Sequence, residues 1–564
     1  MINTSAQRPR YEVGKQADPI GAGRPPTRRD ASSPHGSPDA LAGPNVTLDP
    51  AMAHVGLPPR LSGVVHLFVV GALWLVCGLL LETAAVAALY LAVAAASYVL
   101  VLVLYRAARM TGDALNVLSL SMIAMLLLYP LHGVVMRDSP MVKNLLGGDR
   151  DTFFTYALVV ATMGAWAMYR GFATGRPGPV SRLVERASRP IDDLAPTLDN
   201  KLVLLMVAGI VARVALVASG TGTHVDLGGP GAGASSSAHF LLDALSATSR
   251  LAALYLLATG ARHHLRRRVW LGAGYLLVEA LWGGLFSGSR YLLFVPLLSA
   301  AAVYSAVVKP VSLRRLVTLM FVFVTVAFPL ATAYKTAYSS RLVELQRQGL
   351  SASAVLDSLE STGSADSDDW ADLVGQRFHA LTSLALIIRY TPERHPYLWG
   401  EPYALLPLDI AVPRLVWPDK PVLRQFTLDF RFDYFKLDRG SRTSVAPSQF
   451  GELWANLSLF GLLLGAWVWG RILRFMYAFL YLGGRASLFG KAAYATALPA
   501  LLSVMETETV TGMAAIAKSL VIWVACTWLL GQRRRRGGLA RPPHAAEPTR
   551  SAHASNPRVA RLAS

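Results

Sequence analysis

Six basic or aromatic side chains in the second half of the chain have the chemistry to hold a phosphate group and a sugar. A guanidinium matches the geometry of phosphate oxygens, an ammonium adds a point charge, and an indole offers a flat apolar face on which a sugar ring can stack. The candidates are Arg290, Arg377, Arg414, Trp417, Lys420 and Arg442.

Three of these candidates share one rigid segment, VPRLVWPDKPVLRQF (412–426). Each of its three prolines fixes its own φ and favours extended geometry at the preceding residue. We therefore expect Arg414 and Lys420 to be held in fixed directions; a structural clamp over neighbouring helices is the alternative. Arg290, in the short turn FSGSRYLLF, could equally be an interfacial anchor.

Two side chains could accept a proton. His379 lies in WADLVGQRFHALTSLALIIRY (370–390), whose apolar residues recur at near-helical spacing. Glu452 lies four residues before Asn456, hence on the same face of a predicted helix. A structural histidine and a glutamate paired with an arginine are the alternatives.

The elements that must position these residues are apolar helices. Hydrophobic residues make up 53% of the 564 residues, charged residues only 16%, and the mean hydropathy is +0.39. Many windows reach the roughly 20 apolar residues that cross a bilayer. We predict an all-α polytopic membrane protein with about twelve spans, at 61–81, 84–105, 114–135, 152–170, 201–219, 239–260, 269–287, 291–308, 316–334, 452–470, 489–505 and 513–531.

Loop charge predicts the orientation. Lys and Arg are concentrated in alternate loops, which by the positive-inside rule are cytoplasmic, as are both termini. Residues 1–60 and the basic tail 532–564 are predicted to be disordered, 61–334 to form spans one to nine, and 452–531 spans ten to twelve. The long insertion 335–451 is then extracytoplasmic, and within it 391–410, rich in Pro, Gly and aromatics, is predicted to be extended and turn-rich.

The sequence lacks the motifs that are typical of several other classes of protein. The sequence contains no phosphate-binding GxxxxGK[ST] loop, no HExxH, no GxSxG, no EF-hand loop and no CxxC pair. We therefore expect no metal and no cofactor. The net charge of +19 is that of a membrane protein with basic cytoplasmic loops and does not indicate nucleic-acid binding.

The ordered series RFHALTSL, TPERHPYLWG, VPRLVWPDKP and GELWANLSLFG, with the GSR turn before an apolar span, resembles the O-antigen polymerase (Wzy-type) or oligosaccharide repeat-unit polymerase family. The resemblance implies a GT-C-like glycosyltransferase of the bacterial inner membrane. Its substrates would be undecaprenyl-pyrophosphate-linked oligosaccharides, and a chain-length regulator and a flippase would be its partners. Arg290, Arg377 and Arg414 would stabilise the leaving pyrophosphate, assisted by Lys420 and Arg442, and Glu452 or His379 would take the acceptor proton.

Three alternatives remain open. An O-antigen ligase would use the same donor. A transferase of polyprenyl-phosphate monosaccharides usually carries paired acidic residues in its first outer loop, where this chain has only Glu82. A flippase or transporter would place charges deep within spans, as Arg213 and Glu279 are placed here, but no internal repeat accompanies them.

Overall fold

The computed structural model describes residues 85–174, 199–218, 237–285, 290–327, 331, 379–412, 417, 425–437, 445–478 and 487–531. All regular secondary structure in these ranges is helical. The tails 1–60 and 532–564, the first predicted span and residues 335–378 of the predicted insertion 335–451 lie outside the described residues.

Nine helices are described up to residue 322, and all except the short third one overlap predicted apolar spans. They are α1 (Ala85–Thr111), α2 (Val117–Val135), α3 (Pro140–Leu146), α4 (Arg150–Thr174), α5 (Asp199–Ala218), α6 (Ser237–Arg262), α7 (Arg266–Leu285), α8 (Arg290–Val307) and α9 (Leu313–Val322). Helix α2 contains a π-helical turn at Leu127–Leu131 that includes Pro130. Such a turn is expected there, because proline cannot donate to the ordinary helical ladder.

The second half contributes α10 (Ala380–Tyr390), α11 (Glu401–Ala411), α12 (Gln425–Asp433), α13 (Gln449–Tyr477), α14 (Leu488–Ser503) and α15 (Thr509–Gly531). Predicted spans two to twelve each overlap one of the fifteen helices. Within the described residues, four stretches are long and apolar enough to cross a membrane: Ala85–Thr111, Val117–Val135, Pro140–Thr174 and Gln449–Tyr477.

The prediction that 391–410 is extended was wrong for its second half. Residues 391–400 do form turns, but Glu401–Ala411 is helix α11. Pro402 occupies the first turn of that helix, where an N–H would have no intrahelical partner in any case. A proline in this position is compatible with a helix, so the high proline content of the segment did not by itself indicate extended structure.

Helices α4 and α13 make a close crossing that holds the two halves of the chain together. A Cβ added to Gly171 would overlap the carbonyl group of Trp467, and one added to Gly470 would overlap that of Met168. Glycine at both positions lets the two backbones touch, as small residues do between membrane helices. Around this crossing lies the buried core, which includes Phe172, Trp469 and Tyr477.

Candidate functional site

Two histidines lie together where α10 meets α2. His379 is the residue that precedes α10, and it lies within electrostatic range of His132, which is buried in α2 directly after the π-helical turn. The Nε2 atom of His132 is 2.7 Å from the hydroxyl of Thr382. The ring of Phe435 covers His379 edge-on, with the centroids 5.9 Å apart. The sequence prediction included His379 but missed His132.

Helix α13 begins beside these histidines with an unusual backbone. Ser448 has a φ of 65°, a region that non-glycine residues rarely adopt, and its hydroxyl accepts a hydrogen bond from the N–H of Gly451. The preceding residues are fixed by Ser383, whose hydroxyl donates to the carbonyl of Ala446 at 2.9 Å. Gln449 is buried in the first turn, and its amide O and N have no hydrogen-bond partner among the described residues.

Glu452 follows one turn later and is 1% exposed. Its Oε2 accepts a hydrogen bond from the N–H of Thr509, the first residue of α15, and the N–H of Val510 also contributes. The carboxylate thus lies at a helix N-terminus, where backbone N–H groups and the helix dipole stabilise negative charge. Its other oxygen, Oε1, has no hydrogen-bond partner of normal geometry in the described part of the chain.

Tyr403 of α11 lies against this carboxylate. Burial, reinforced by the negative charges of Glu452 and Glu508, raises the pKa of Tyr403 well above its ordinary value. The phenol therefore stays protonated at all physiological pH values and remains a hydrogen-bond donor. We call Tyr403, Glu452, Asn456, Glu508 and Thr509 the Glu452 cluster.

The turn before α11 is attached to a break in α13. Leu457 and Ser458 have non-helical backbone angles, and just before them the carbonyls of Ala455 and Asn456 accept from the N–H groups of Leu398 and Trp399. The side chain of Asn456 accepts from the N–H of Gly400 at 3.0 Å and donates to the carbonyl of Glu452 at 2.8 Å. This pairing leaves the indole of Trp399 74% exposed at the surface.

The predicted phosphate-binding residues are less fully described. Arg377, Arg414, Lys420 and Arg442 lie outside the described residues, so their placement stays a prediction. Arg290 is the first residue of α8, and its place at a membrane boundary stays a prediction. The side chain of Trp417 is 37% exposed, and its role in sugar stacking stays a prediction.

Glu452 and Asn456 share one helix face as predicted, and both are buried. Among the described residues, Glu452 pairs with the N-terminus of α15. The arginines of 413–416 and 438–444 lie outside those residues, so the alternative of an arginine partner stays a prediction. Within the described residues, no group of three or more His, Cys, Asp or Glu side chains is arranged to hold a metal ion.

A second polar centre lies between helices α5, α6 and α7. The Nη2 of Arg213 is 2.5 Å from Oε1 of Glu279, and the Nε of Arg250 is 2.7 Å from the same oxygen. We call these three residues the arginine–glutamate triad. Sequence reasoning noted Arg213 and Glu279 but missed Arg250, which lies equally deep in a predicted span.

Comparison with known proteins gives one similarity. The family pattern of a domain of unknown function (DUF8712) matches residues 234–490, a little under half of the chain. The matched stretch includes α6 to α13, with Arg250, Glu279, His379 and Glu452. No curated protein and no solved structure matches the sequence.

Proposed function

We propose that this protein is a membrane glycosyltransferase that joins lipid-linked oligosaccharide repeat units into O-antigen, capsule or exopolysaccharide. The donor would be an undecaprenyl-pyrophosphate-linked glycan at the outer face of a bacterial inner membrane, and the fold would be GT-C-like. The residues that carry the proposal are the two histidines, Gln449 and the Glu452 cluster, at the junction between apolar helices and the 379–456 region.

One observation carries the proposal most directly: buried polar atoms without partners are concentrated at the start of α13. Oε1 and Nε2 of Gln449, and Nδ1 of His132 in the neighbouring α2, have no hydrogen-bond partner among the described residues. Oε1 of Glu452 has no partner of normal geometry there, although the hydroxyl groups of Tyr403 and Thr509 lie close to the carboxylate. Leaving such an atom unsatisfied costs about 1–3 kcal/mol. A set that mixes donors and acceptors is suited to sugar hydroxyl groups, which both donate and accept.

The reaction would be a displacement at an anomeric carbon. The oxygen of an acceptor sugar hydroxyl forms a bond to the anomeric carbon of the donor, and the bond from that carbon to the pyrophosphate oxygen breaks. The electron pair leaves with the lipid pyrophosphate, and the hydroxyl proton passes to Glu452 or His379. Positive charge from Arg290, Arg377 and Arg414, with Lys420 and Arg442, would stabilise the leaving group.

The two candidate bases differ in their surroundings. Glu452 has one oxygen engaged by backbone N–H groups and the other lacking such a bond, so it can receive a proton without losing its anchor to α15. His379 is partly exposed and lies within electrostatic range of His132, which is buried. Either proton acceptor requires the hydroxyl to enter the space beside the first turn of α13.

A strain that lacks the gene tests this function. We expect surface glycan or carrier lipid capped with a single repeat unit, and no long chains. Loss of all surface glycan with normal lipid-linked polymer would instead identify a ligase. Unchanged polymer length, with the gene verified as absent, would contradict the proposal.

A further inference from the structure

The hairpin between α6 and α7 has a closely packed backbone. Helix α6 ends at the exposed Arg262 and α7 begins at Arg266, so only three residues connect the two helices. The N–H of Leu265 donates to the carbonyl of Gly260 at 2.8 Å, a bond of the kind that terminates helices. A Cβ added to Gly260 would lie 2.7 Å from the backbone N of Val269. The two helix ends therefore touch, and the start of α7 is held in a fixed position.

Three consecutive arginines at the start of α7 have different surroundings. Arg268 is buried, and its Nη2 lies 2.8 Å from the carboxylate of Asp199, the first residue of α5. Arg266 and Arg267 are exposed, and neither side chain has a hydrogen-bond or ion-pair partner within the part of the chain that the structure describes. Arg268 thus attaches the hairpin to α5, while the guanidiniums of Arg266 and Arg267 are available to an external anion.

The exposed side chains that follow these arginines are apolar. Trp270 is 76% exposed and Leu271 is also exposed. Residues four apart share a helix face, so Trp270 lies below Arg266 and Leu271 below Arg267, about 6 Å further along the axis. The arginines lie between the sixth and seventh predicted spans, which is the level of lipid phosphates when those spans cross a bilayer. Tryptophan is enriched at this boundary between head groups and hydrocarbon.

The same face of α7 has a recess one turn further along. Gly274 lies four residues after Trp270 and four before Val278, which is exposed. No atom lies within 4 Å of the position that a Cβ on Gly274 would occupy. The exposed Leu281 extends the apolar surface by a further turn. A recess between two larger apolar side chains lets a hydrocarbon chain pack closely against the helix, and close packing is what favours contacts within a bilayer.

We propose that α7 binds one anionic phospholipid. Arg266 and Arg267 contact its phosphate, Trp270 lies beside its glycerol backbone, and one acyl chain lies in the recess at Gly274. Guanidiniums form strong charge-assisted hydrogen bonds with phosphate oxygens, and clustered basic residues attract anionic head groups. The site goes beyond the transfer reaction proposed above and does not depend on it, so the failure of either leaves the other intact.

The test uses two photoreactive lipids that differ in head-group charge. The full-length protein is reconstituted in dioleoylphosphatidylcholine vesicles that contain a small fraction of phosphatidylglycerol or of phosphatidylcholine, each with the same diazirine-bearing acyl chain. After irradiation, the labelled peptides are identified by mass spectrometry. We expect the phosphatidylglycerol probe to label the segment from Trp270 to Leu281 at least about fivefold more than the phosphatidylcholine probe.

The charge variant is Arg266→Gln/Arg267→Gln. Both side chains are exposed and glutamine is a good helix former, so the fold should be retained. Labelling of α7 by the phosphatidylglycerol probe should fall at least about fivefold, to the level of the phosphatidylcholine probe. The matched control is Arg314→Gln/Arg315→Gln, which removes another adjacent pair of exposed arginines, at the start of α9. It should leave the labelling of α7 unchanged.

The recess variant is Gly274→Leu, which leaves the charge unchanged. The space around Gly274 accommodates the larger side chain, which occupies the proposed position of the acyl chain. We expect the labelling of α7 by the phosphatidylglycerol probe to fall severalfold. Labelling equal to that of the wild-type protein would contradict an acyl chain in this recess.

Three other outcomes would overturn the proposal. Equal labelling by the two probes in the wild-type protein would show that α7 does not recognise an anionic head group, and this comparison needs no variant. Equal loss of labelling in the two double-arginine variants would show that overall surface charge attracts the lipid. Loss of labelling on addition of inorganic phosphate at constant ionic strength would indicate a site for a soluble anion.

Discussion

Two buried glutamates in this protein are stabilised in different ways. Glu279, in α7, faces two guanidiniums, whereas Glu452, in α13, faces the N-terminus of α15 and the phenol of Tyr403. Both are almost fully buried. Side-chain type and burial therefore do not distinguish them; the partners do.

These partners indicate that Glu279 has a structural role and that Glu452 is available to accept a proton. Glu279 forms ion pairs with both Arg213 and Arg250, so its removal takes a negative charge away from two partly buried guanidiniums. Glu452 is held by backbone N–H groups that remain in place whichever side chain accepts their bonds. A carboxylate of the second kind can change protonation state with less effect on the surrounding structure, as a general base must.

The largest expected effect is that of Glu279→Leu. Removing one partner from a buried charge cluster typically destabilises a protein by about 3–5 kcal/mol, because the remaining charges lose that partner. The free energy of unfolding, measured in mixed micelles, should fall by that amount. Arg262→Gln serves as the control and should change it little; an equally stable Glu279→Leu protein would show that the triad does not support the fold.

Glu452→Gln should separate stability from activity. The amide oxygen still accepts from the N–H of Thr509, so only the charge–dipole contribution is lost, about 0.5–1 kcal/mol. If Glu452 is the base, glycan transfer should fall at least about a hundredfold. Native glycan length in a strain that expresses this variant normally would remove Glu452 from the proposed reaction and leave it as a helix anchor.

Thr382→Val should have an intermediate effect on the histidines. It keeps the shape of the side chain but leaves Nε2 of buried His132 without its hydroxyl partner, which costs about 1–2 kcal/mol. Thr382→Ser retains the hydroxyl and should preserve the unfolding free energy to a greater degree. Equal stability of both variants would show that the His132–Thr382 hydrogen bond contributes nothing.

Tyr403→Phe should have the smallest effect near neutral pH, at most about 1 kcal/mol. At alkaline pH, the direction in which the unfolding free energy changes with pH is informative. Because the pKa of Tyr403 is raised in the folded protein, ionisation favours the unfolded state, and stability falls as pH rises above the ordinary tyrosine value of about 10. The unfolding free energy of Tyr403→Phe should decline less steeply there; identical slopes would contradict burial of this phenol beside negative charge.

Much of the helix placement could be predicted from the sequence. Long apolar runs need internal backbone hydrogen bonds, and helices lie where spans two to twelve were predicted. The exceptions are local. Helix α11 has Pro402 in its first turn, in a segment predicted to be extended, and α13 is broken at Leu457–Ser458, inside predicted span ten.

The candidate site was less predictable because its partners are distant in sequence. Glu452 meets Thr509, and His132 meets Thr382, through helix packing that no local period encodes. Arg250 did carry a usable signal, since a charged residue inside an apolar run indicates a buried partner or a ligand. Applying that criterion to every span would have found the whole arginine–glutamate triad.

The most direct test of the central claim is reconstitution of glycan transfer. The purified protein is placed in proteoliposomes with lipid-linked repeat units extracted from the deletion strain, without nucleotide sugars. We predict a ladder of lipid-linked products that differ by one repeat unit, and its loss with Glu452→Gln. Recovery of only the starting single unit, from wild-type protein shown to be folded, would contradict the account.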